Sequence, residues 1–196
     1  MHGLIAERLG DPTARLMGRL TLNPIPHIDI LGTIIIPLTL FIFKFPFLFG
    51  WAKPVPVDPY NLQHPKKDMA IISLAGPLSN ILMAIVFSIF LRILLNIFPN
   101  SNILIKPLFS FLIAINISLA VFNLIPINPL DGGKILAGIL PSKSALAYNN
   151  FLDKFGMILI AFLIFPIFGG NSLATIVISP VINLFLRLLI PGFSSI

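Results

Sequence analysis

The chain has no cysteine and few charged side chains. The lack of cysteine excludes disulfides, thiolate metal sites and cysteine nucleophiles. Aspartate and glutamate together number seven, histidine numbers three, and charged residues make up 10% of the sequence. Few groups can therefore bind a metal or move a proton, and any catalytic site must be built from this short set.

Hydrophobic residues are abundant instead. They make up 57% of the 196 residues, and the mean hydropathy is +0.99. This composition is not that of a soluble domain. Because one crossing needs roughly 20 apolar residues, the sequence predicts an all-α polytopic membrane protein with about four to five transmembrane segments. We expect one membrane-embedded domain over residues 1–196.

The net charge of +6 is spread along the loops. The chain has no basic cluster larger than Lys66-Lys67. The positive charge is therefore explained by topology and by anionic lipid rather than by nucleic acid. The lipid bilayer is the expected surrounding, and no nucleic-acid partner is expected.

Four hydrophobic blocks follow a charged entrance at residues 1–29. Within the entrance we expect a first helix that stops at Gly10, and residues 15–22 alternate enough to allow a short β element. Residues 30–51 predict one bent span, and residues 69–98 and 103–127 predict one span each. The last block, residues 155–191, is broken at Gly169-Gly170 and predicts two short spans or one span with a re-entrant piece.

Asp131 places a carboxylate at the end of the third block, in the segment Asn123-Leu-Ile-Pro-Ile-Asn-Pro-Leu-Asp131-Gly-Gly133. Membranes rarely tolerate such a group without a use for it. One interpretation is an intramembrane metal ligand. The other is a turn aspartate that hydrogen-bonds its own backbone, since Asp-Gly is a common turn pair. The residues alone give the two about even weight.

A hydrolytic zinc site usually takes three protein ligands from His, Asp or Glu and leaves one position for water. His64 lies in a loop rich in proline and lysine, where a solvated side chain is the better interpretation. His27 stands at the mouth of a span, and its sequence context does not favour ligation. His2 alone reads as a frayed terminal residue.

Several motifs occur together and in order: His27-Ile-Asp29, Gly50-Trp-Ala-Lys-Pro-Val-Pro56, Ala75-Gly-Pro-Leu-Ser-Asn80 and Leu130-Asp-Gly132. With residues 2–14, 18–24, 32–33 and 122–126, they resemble the site-2 protease family of intramembrane zinc metalloproteases, in its compact type without a PDZ domain. The resemblance covers most of the chain up to residue 140. It implies Zn²⁺ as the cofactor.

In that family, zinc is bound by the two histidines of an H-E-x-x-H helix and by the aspartate of a later Leu-Asp-Gly motif. The resemblance implies that Asp131 is this aspartate and that His2 is the second histidine. The first histidine and the glutamate would lie before Met1, so the chain is N-terminally incomplete relative to the family. Glu7 is no substitute for that glutamate, because it lies about a turn and a half beyond His2 on a helix.

Asn123 resembles the family's asparagine that is proposed to stabilise the oxyanion. The alternative for this residue is a hydrogen bond between helices inside the membrane.

The resemblance implies a zinc-dependent intramembrane endopeptidase, a metalloendopeptidase that cleaves transmembrane segments of membrane proteins in regulated intramembrane proteolysis. Its partners would be a transmembrane protein substrate and the bilayer, and its location a prokaryotic cell membrane, as a multi-pass protein. One alternative is a non-catalytic relative that binds membrane helices. Another is a small transporter component with Asn80, Asn123 and Asp131 along a polar pathway. It ranks last because it does not explain the ordered motifs.

Overall fold

The computed structural model describes residues 1–21, 23–44, 50–98, 102–168 and 171–193. Helices dominate and confirm the all-α class: α1 (His2–Arg8), α2 (Thr13–Leu16), α3 (Ile36–Ile42), α4 (Pro65–Ile97), α5 (Asn102–Asn123), α6 (Asp131–Ile139), α7 (Ser142–Ile164) and α8 (Leu173–Leu189). A π-helical stretch, Ile30–Ile35, leads into α3, and short 3-10 turns lie at Ile25–His27 and Pro59–Asn61. Strands β1 (Pro166–Phe168) and β2 (Asn171–Ser172) form a small antiparallel pair.

Helices α4, α5 and α7 are each long and apolar enough to cross a membrane. Two shorter apolar helices, Ile30–Ile42 and Leu173–Leu189, accompany them. These helices confirm a polytopic membrane protein. The predicted break in the last block separates α7 from α8, although Gly169 and Gly170 themselves lie outside the described residues.

The chain divides into two compact units, Met1–Asp68 and Met69–Ile196. In the first unit, Asp11 is fully buried and joins two distant segments. Its carboxylate accepts hydrogen bonds from the backbone N–H and the hydroxyl of Thr13, from the backbone N–H of Asp58 at 2.8 Å, and from the Asn61 amide at 2.9 Å. A buried carboxylate is tolerated when hydrogen-bond donors surround it in this way.

Arg19 makes a second connection inside the first unit. Arg19 is 7% exposed, and its guanidinium donates to the carbonyl of Pro26, to that of Lys53 at 2.7 Å and to that of Pro54 at 3.1 Å. The backbone N–H of Lys53 also donates to the carbonyl of His27 at 3.0 Å. The entrance and the loop that follows residue 50 therefore form one hydrogen-bonded body.

The short β element expected at residues 15–22 is wrong over the part that the structure describes. Arg15 and Leu16 end α2, and a turn follows at residues 17–18, while Leu22 lies outside the described residues. Gly18 has φ of +65°, and the backbone N–H of Arg19 returns to the carbonyl of Ala14 at 2.8 Å. This left-handed glycine ends the helix, and hydrogen bonds from Thr13 to the Asp11 carboxylate stabilise the first turn of α2. The alternating residues therefore lie in a helix and a turn rather than in a strand.

Among the described residues of the bent span predicted for 30–51, the helical part runs only from Ile30 to Ile42. After α3 the chain returns to the start of the block, where the backbone N–H of Trp51 donates to the carbonyl of Gly32 at 3.1 Å. In a π-helical stretch that carbonyl would bond the N–H of residue 37. Pro37 has no N–H. Trp51 thus satisfies a carbonyl that Pro37 leaves open, and the Thr33 hydroxyl adds a bond to the Trp51 carbonyl at 2.8 Å.

The core of the second unit lies among α4, α5 and α8. Its buried members are Ala84 and Leu91 on α4, Ile113 and Ile117 on α5, with Leu186 and Ile190 from the C-terminal end of α8. Phe87 and Phe109 add an edge-to-face contact between α4 and α5, with ring centroids 6.2 Å apart. The spans predicted at residues 69–98 and 103–127 correspond to α4 and α5, but α5 ends at Asn123, four residues before the predicted end.

Candidate metal site and the turn that carries Asp131

Asp131 is the first residue of α6 and is half-buried. The turn at residues 124–130 connects it to the end of α5. A carboxylate in the first turn of a helix is stabilised by the partial positive charge of that end. Asp131 therefore lies at the positively polarised end of α6, shortly after an apolar helix.

Close backbone packing fixes the position of Asp131. The backbone N–H of Leu130 donates to the carbonyl of Ile127 at 2.8 Å, and that of Gly133 donates to the carbonyl of Leu130 at 3.2 Å. A Cβ at residue 132 would overlap the carbonyl oxygens of Leu124 and Ile125. Only a glycine allows the head of α6 to lie this close to the preceding turn.

Helix α7 holds the same turn from its other side. The Tyr148 hydroxyl donates to the carbonyl of Pro126 at 2.6 Å, and the Asn128 amide lies 3.4 Å from a carboxylate oxygen of Asp153. At Gly156, a Cβ would lie 2.6 Å from the carbonyl oxygen of Asn128. These positioning residues were not predicted from the sequence, although polar side chains such as Tyr148 and Asp153 on an apolar helix are a usable signal.

Asn123 is the last residue of α5 and is half-buried. It belongs to the same compact unit as Asp131, at the opposite end of the turn at residues 124–130. Its amide can donate two hydrogen bonds and accept two. The oxyanion role implied by the resemblance stays a prediction.

His2 is the first residue of α1, in the first unit, and is half-buried. Of the other two histidines, which belong to the same unit, His27 ends a 3-10 turn and His64 lies in a loop. The Nε2 atom of His27 is 3.1 Å from the carbonyl oxygen of Thr21, and the backbone N–H of His64 donates to the Asp68 carboxylate at 2.8 Å. The first contact is made by the His27 ring, and the second by the backbone of His64.

Glu7 is engaged by Arg15 in a two-point ion pair, whose Nη2 to Oε2 distance is 2.8 Å. The Arg15 guanidinium lowers the pKa of the Glu7 carboxyl below its usual range. An efficient general base has a pKa near the working pH. The structure therefore agrees with the spacing argument that Glu7 does not replace a catalytic glutamate.

The donors present fit zinc in kind but not in number. Imidazole nitrogen and carboxylate oxygen are both ordinary zinc ligands, and a catalytic site takes three of them from the protein. Across the part of the chain that the structure describes, no three His, Asp or Glu side chains come together as a metal-binding group. A catalytic zinc site would need a third protein ligand besides His2 and Asp131, the two that the resemblance implies.

The chain is similar in sequence to a peptidase family and to two proteins named as zinc metalloproteases. A family model described as peptidase family M50 matches residues 95–166. A candidate zinc metalloprotease of Bacillus subtilis (strain 168), YwhC, is 32% identical over 187 residues, which cover 93% of this chain and 78% of that protein. The zinc metalloprotease MJ0392 of Methanocaldococcus jannaschii is 38% identical over 79 residues, which cover 40% of this chain and 22% of that protein. No solved structure gives a significant match. The extent of the match to YwhC shows that this chain belongs to peptidase family M50.

Proposed function

We propose that the chain is the membrane domain of a zinc-dependent endopeptidase that cleaves transmembrane segments of other proteins in regulated intramembrane proteolysis. Membership of peptidase family M50 and three helices able to cross a membrane support this function. The observation that carries it is the placement of Asp131, whose backbone is fixed by the turn at residues 124–130 at the end of an apolar helix.

Asp131 and His2 are the proposed metal ligands. A carboxylate and an imidazole nitrogen are donors that zinc binds readily, and relatives named as zinc metalloproteases support this choice of ion. A working site needs a third ligand and a general base besides these two residues. Neither group is assigned to a residue of this sequence, since Glu7 is the only glutamate and Arg15 engages it.

Asn123 is the proposed oxyanion donor. An amide N–H aimed at the developing oxyanion stabilises charge where water is excluded. Its position on the other side of the turn from Asp131 is compatible with a shared site. A hydrogen bond between helices is the alternative role, and Asn123→Leu distinguishes the two: loss of cleavage with unchanged thermal stability supports the donor role.

The proposed substrate is a transmembrane helix of another protein. Helices in lipid satisfy all their backbone hydrogen bonds internally, so such a substrate must unwind locally before its amide can be attacked. The proposed location is a prokaryotic cell membrane, where the chain is multi-pass. The bacterial origin of YwhC and the apolar helices of this chain support that location.

The decisive experiment measures zinc content and cleavage of a model transmembrane substrate. Asp131→Ala should reduce bound zinc and abolish cleavage, because a ligand is lost. Lys134→Ala is the matched control, since Lys134 is exposed on the same helix, and it should behave like the unmodified protein. An unmodified protein that binds zinc and cleaves, with zinc content and rate unchanged in both variants, would refute the metal assignment.

The non-catalytic alternative is a member of the family that binds membrane helices without cleaving them. Reading the gene upstream of Met1 separates the two functions. An in-frame His-Glu pair whose histidine lies four residues before His2 supports the protease. A protein that binds transmembrane helices and neither binds zinc nor cleaves supports the alternative.

A further inference from the structure

We infer that the chain enters the membrane at Ile30 and returns to the same side at Trp51 without crossing, as a re-entrant hairpin whose described residues are 30–44 and 50–51. The first reason is the connection between its two flanks. Asp11 in the entrance bonds Asp58, and Arg19 bonds the carbonyl of Lys53. Hydrogen bonds of about 3 Å cannot reach across a hydrocarbon core of roughly 30 Å, so both flanks lie on one side of the membrane.

The second reason is the return of the backbone itself. The N–H of Trp51 reaches the carbonyl of Gly32, two residues into the helix, and the Thr33 hydroxyl reaches the carbonyl of Trp51. A Cβ at Gly32 would overlap the indole ring of Trp51. The descending and returning chains are thus in contact at the base of the hairpin, where a crossing segment would have its two ends furthest apart.

The third reason is length. The helical part, Ile30–Ile42, is among the apolar helices of 10–17 residues, too short for the candidate spans. At 1.5 Å per residue it reaches about 20 Å. A full crossing needs about 30 Å, whereas one leaflet is about half of that. The helix can reach the middle of the bilayer but not the far surface.

The surface of this helix identifies lipid as the occupant. Of residues 30–42, only Gly32 is buried within the protein. Large apolar side chains stay exposed from base to tip: Leu31 53%, Ile34 49%, Leu38 54%, Phe41 71% and Ile42 63%. Trp51 and Lys53 stand at the base, where aromatic and basic residues commonly mark the membrane interface. The acyl chains of one leaflet would cover this apolar surface.

The absence of cysteine makes the topology directly measurable, since a single introduced cysteine is the only thiol in the chain. Met17 and Tyr60 are suitable positions on the two flanks, because they are 63% and 96% exposed. Met17→Cys and Tyr60→Cys should be labelled by a membrane-impermeant maleimide in the same vesicle orientation, right-side-out or inside-out. Labelling from opposite orientations would overturn the inference.

Depth provides an independent readout. Spin labels are attached to single cysteines at Leu31, Leu38 and Phe41 in protein reconstituted into phosphatidylcholine vesicles. The ratio of accessibility to oxygen over accessibility to a water-soluble nickel chelate should rise steadily from Leu31 to Phe41. Leu104, Phe111 and Leu119 on α5 are matched exposed positions on a candidate span, and their profile should rise and fall. A rise and fall along residues 31–41, or uniformly low values that indicate water or a protein partner, would overturn the inference.

Discussion

Asp11 offers the sharpest test of the first unit. Substitution with alanine removes the acceptor of four hydrogen bonds, two from Thr13, one from Asp58 and one from Asn61. The side chain is completely buried, so water cannot replace the lost acceptor without opening the structure. The segments around α2 and the loop at residues 58–61 would lose their connection.

The magnitude follows from these bonds. Hydrogen bonds to a charged group contribute about 1.5–3 kcal/mol each, and a buried donor left unpaired costs about 1–3 kcal/mol. Because these contributions are not additive, we expect a loss of about 3–5 kcal/mol for Asp11→Ala. Asp11→Asn keeps the side-chain volume and one acceptor oxygen, but an NH2 group, which only donates, replaces the other oxygen. We therefore expect this variant to lose about 2–3 kcal/mol of unfolding free energy.

The chain contains one tryptophan, Trp51, which lies in the first unit and reports on its unfolding. In urea titrations of the detergent-solubilised protein, a loss of about 4 kcal/mol corresponds to a midpoint lower by roughly 2 M, for a slope near 2 kcal/mol per M. Glu7→Gln is the control, because the Glu7 ion pair is on the surface and such pairs contribute little. A midpoint for Asp11→Ala that matches Glu7→Gln would refute the reasoning.

The pH dependence supplies a second check. Burial raises the pKa of the Asp11 carboxyl. Hydrogen bonds from Thr13, Asn61 and Asp58 together lower this pKa by more than burial raises it, so the folded-state pKa lies below the usual value. The stabilisation is therefore present above about pH 3.9, the usual value for Asp, and is lost as pH falls through the folded pKa. Asp11→Asn should remove this part of the acid sensitivity.

Three further substitutions test the turn and the core of the second unit. Gly132→Ala places a methyl group against two backbone carbonyls, so we expect the protein to lose about 1–3 kcal/mol of stability in thermal unfolding. Zinc binding should also fall, because Asp131 is displaced. Stability equal to that of Lys134→Ala would contradict this packing. Tyr148→Phe removes one hydrogen bond to the turn and should cost about 1 kcal/mol in the same assay, while an unchanged midpoint would show that the bond contributes nothing. Ser88→Ala should also cost about 1 kcal/mol, because the carbonyl of Leu189 loses its donor, and Ser88→Thr should recover part of this loss if the hydroxyl is responsible.

The long helices were predictable because the membrane leaves the chain little choice. Backbone groups in lipid must be paired internally, so a long apolar run becomes a helix, as α4 and α5 did. Asp131 was also found from the sequence, since its motif is local. Its role as a ligand stays a prediction, as does that of His2.

The features that were not predicted have a common physical origin in contacts between distant residues. Hydropathy counts apolar residues but does not show that the chain returns to Gly32 from Trp51, so residues 30–51 looked like a span. Residues 15–21 looked alternating, but Asp11 and Asp58 organise that region from 47 residues apart. Tyr148 was missed for the same reason, because its importance depends on a carbonyl 22 residues earlier.

The attachment of α8 to α4 has a consequence for biosynthesis. The Ser88 hydroxyl donates to the carbonyl of Leu189, and the Arg92 guanidinium donates to that of Leu188 at 3.2 Å, so partners separated by 101 and 96 residues cap the end of the last helix. At a synthesis rate of about 5–20 residues per second, roughly 5–20 s pass between the emergence of the two partners. During that interval the Ser88 hydroxyl and the Arg92 guanidinium on α4 cannot yet donate to the carbonyls of Leu189 and Leu188.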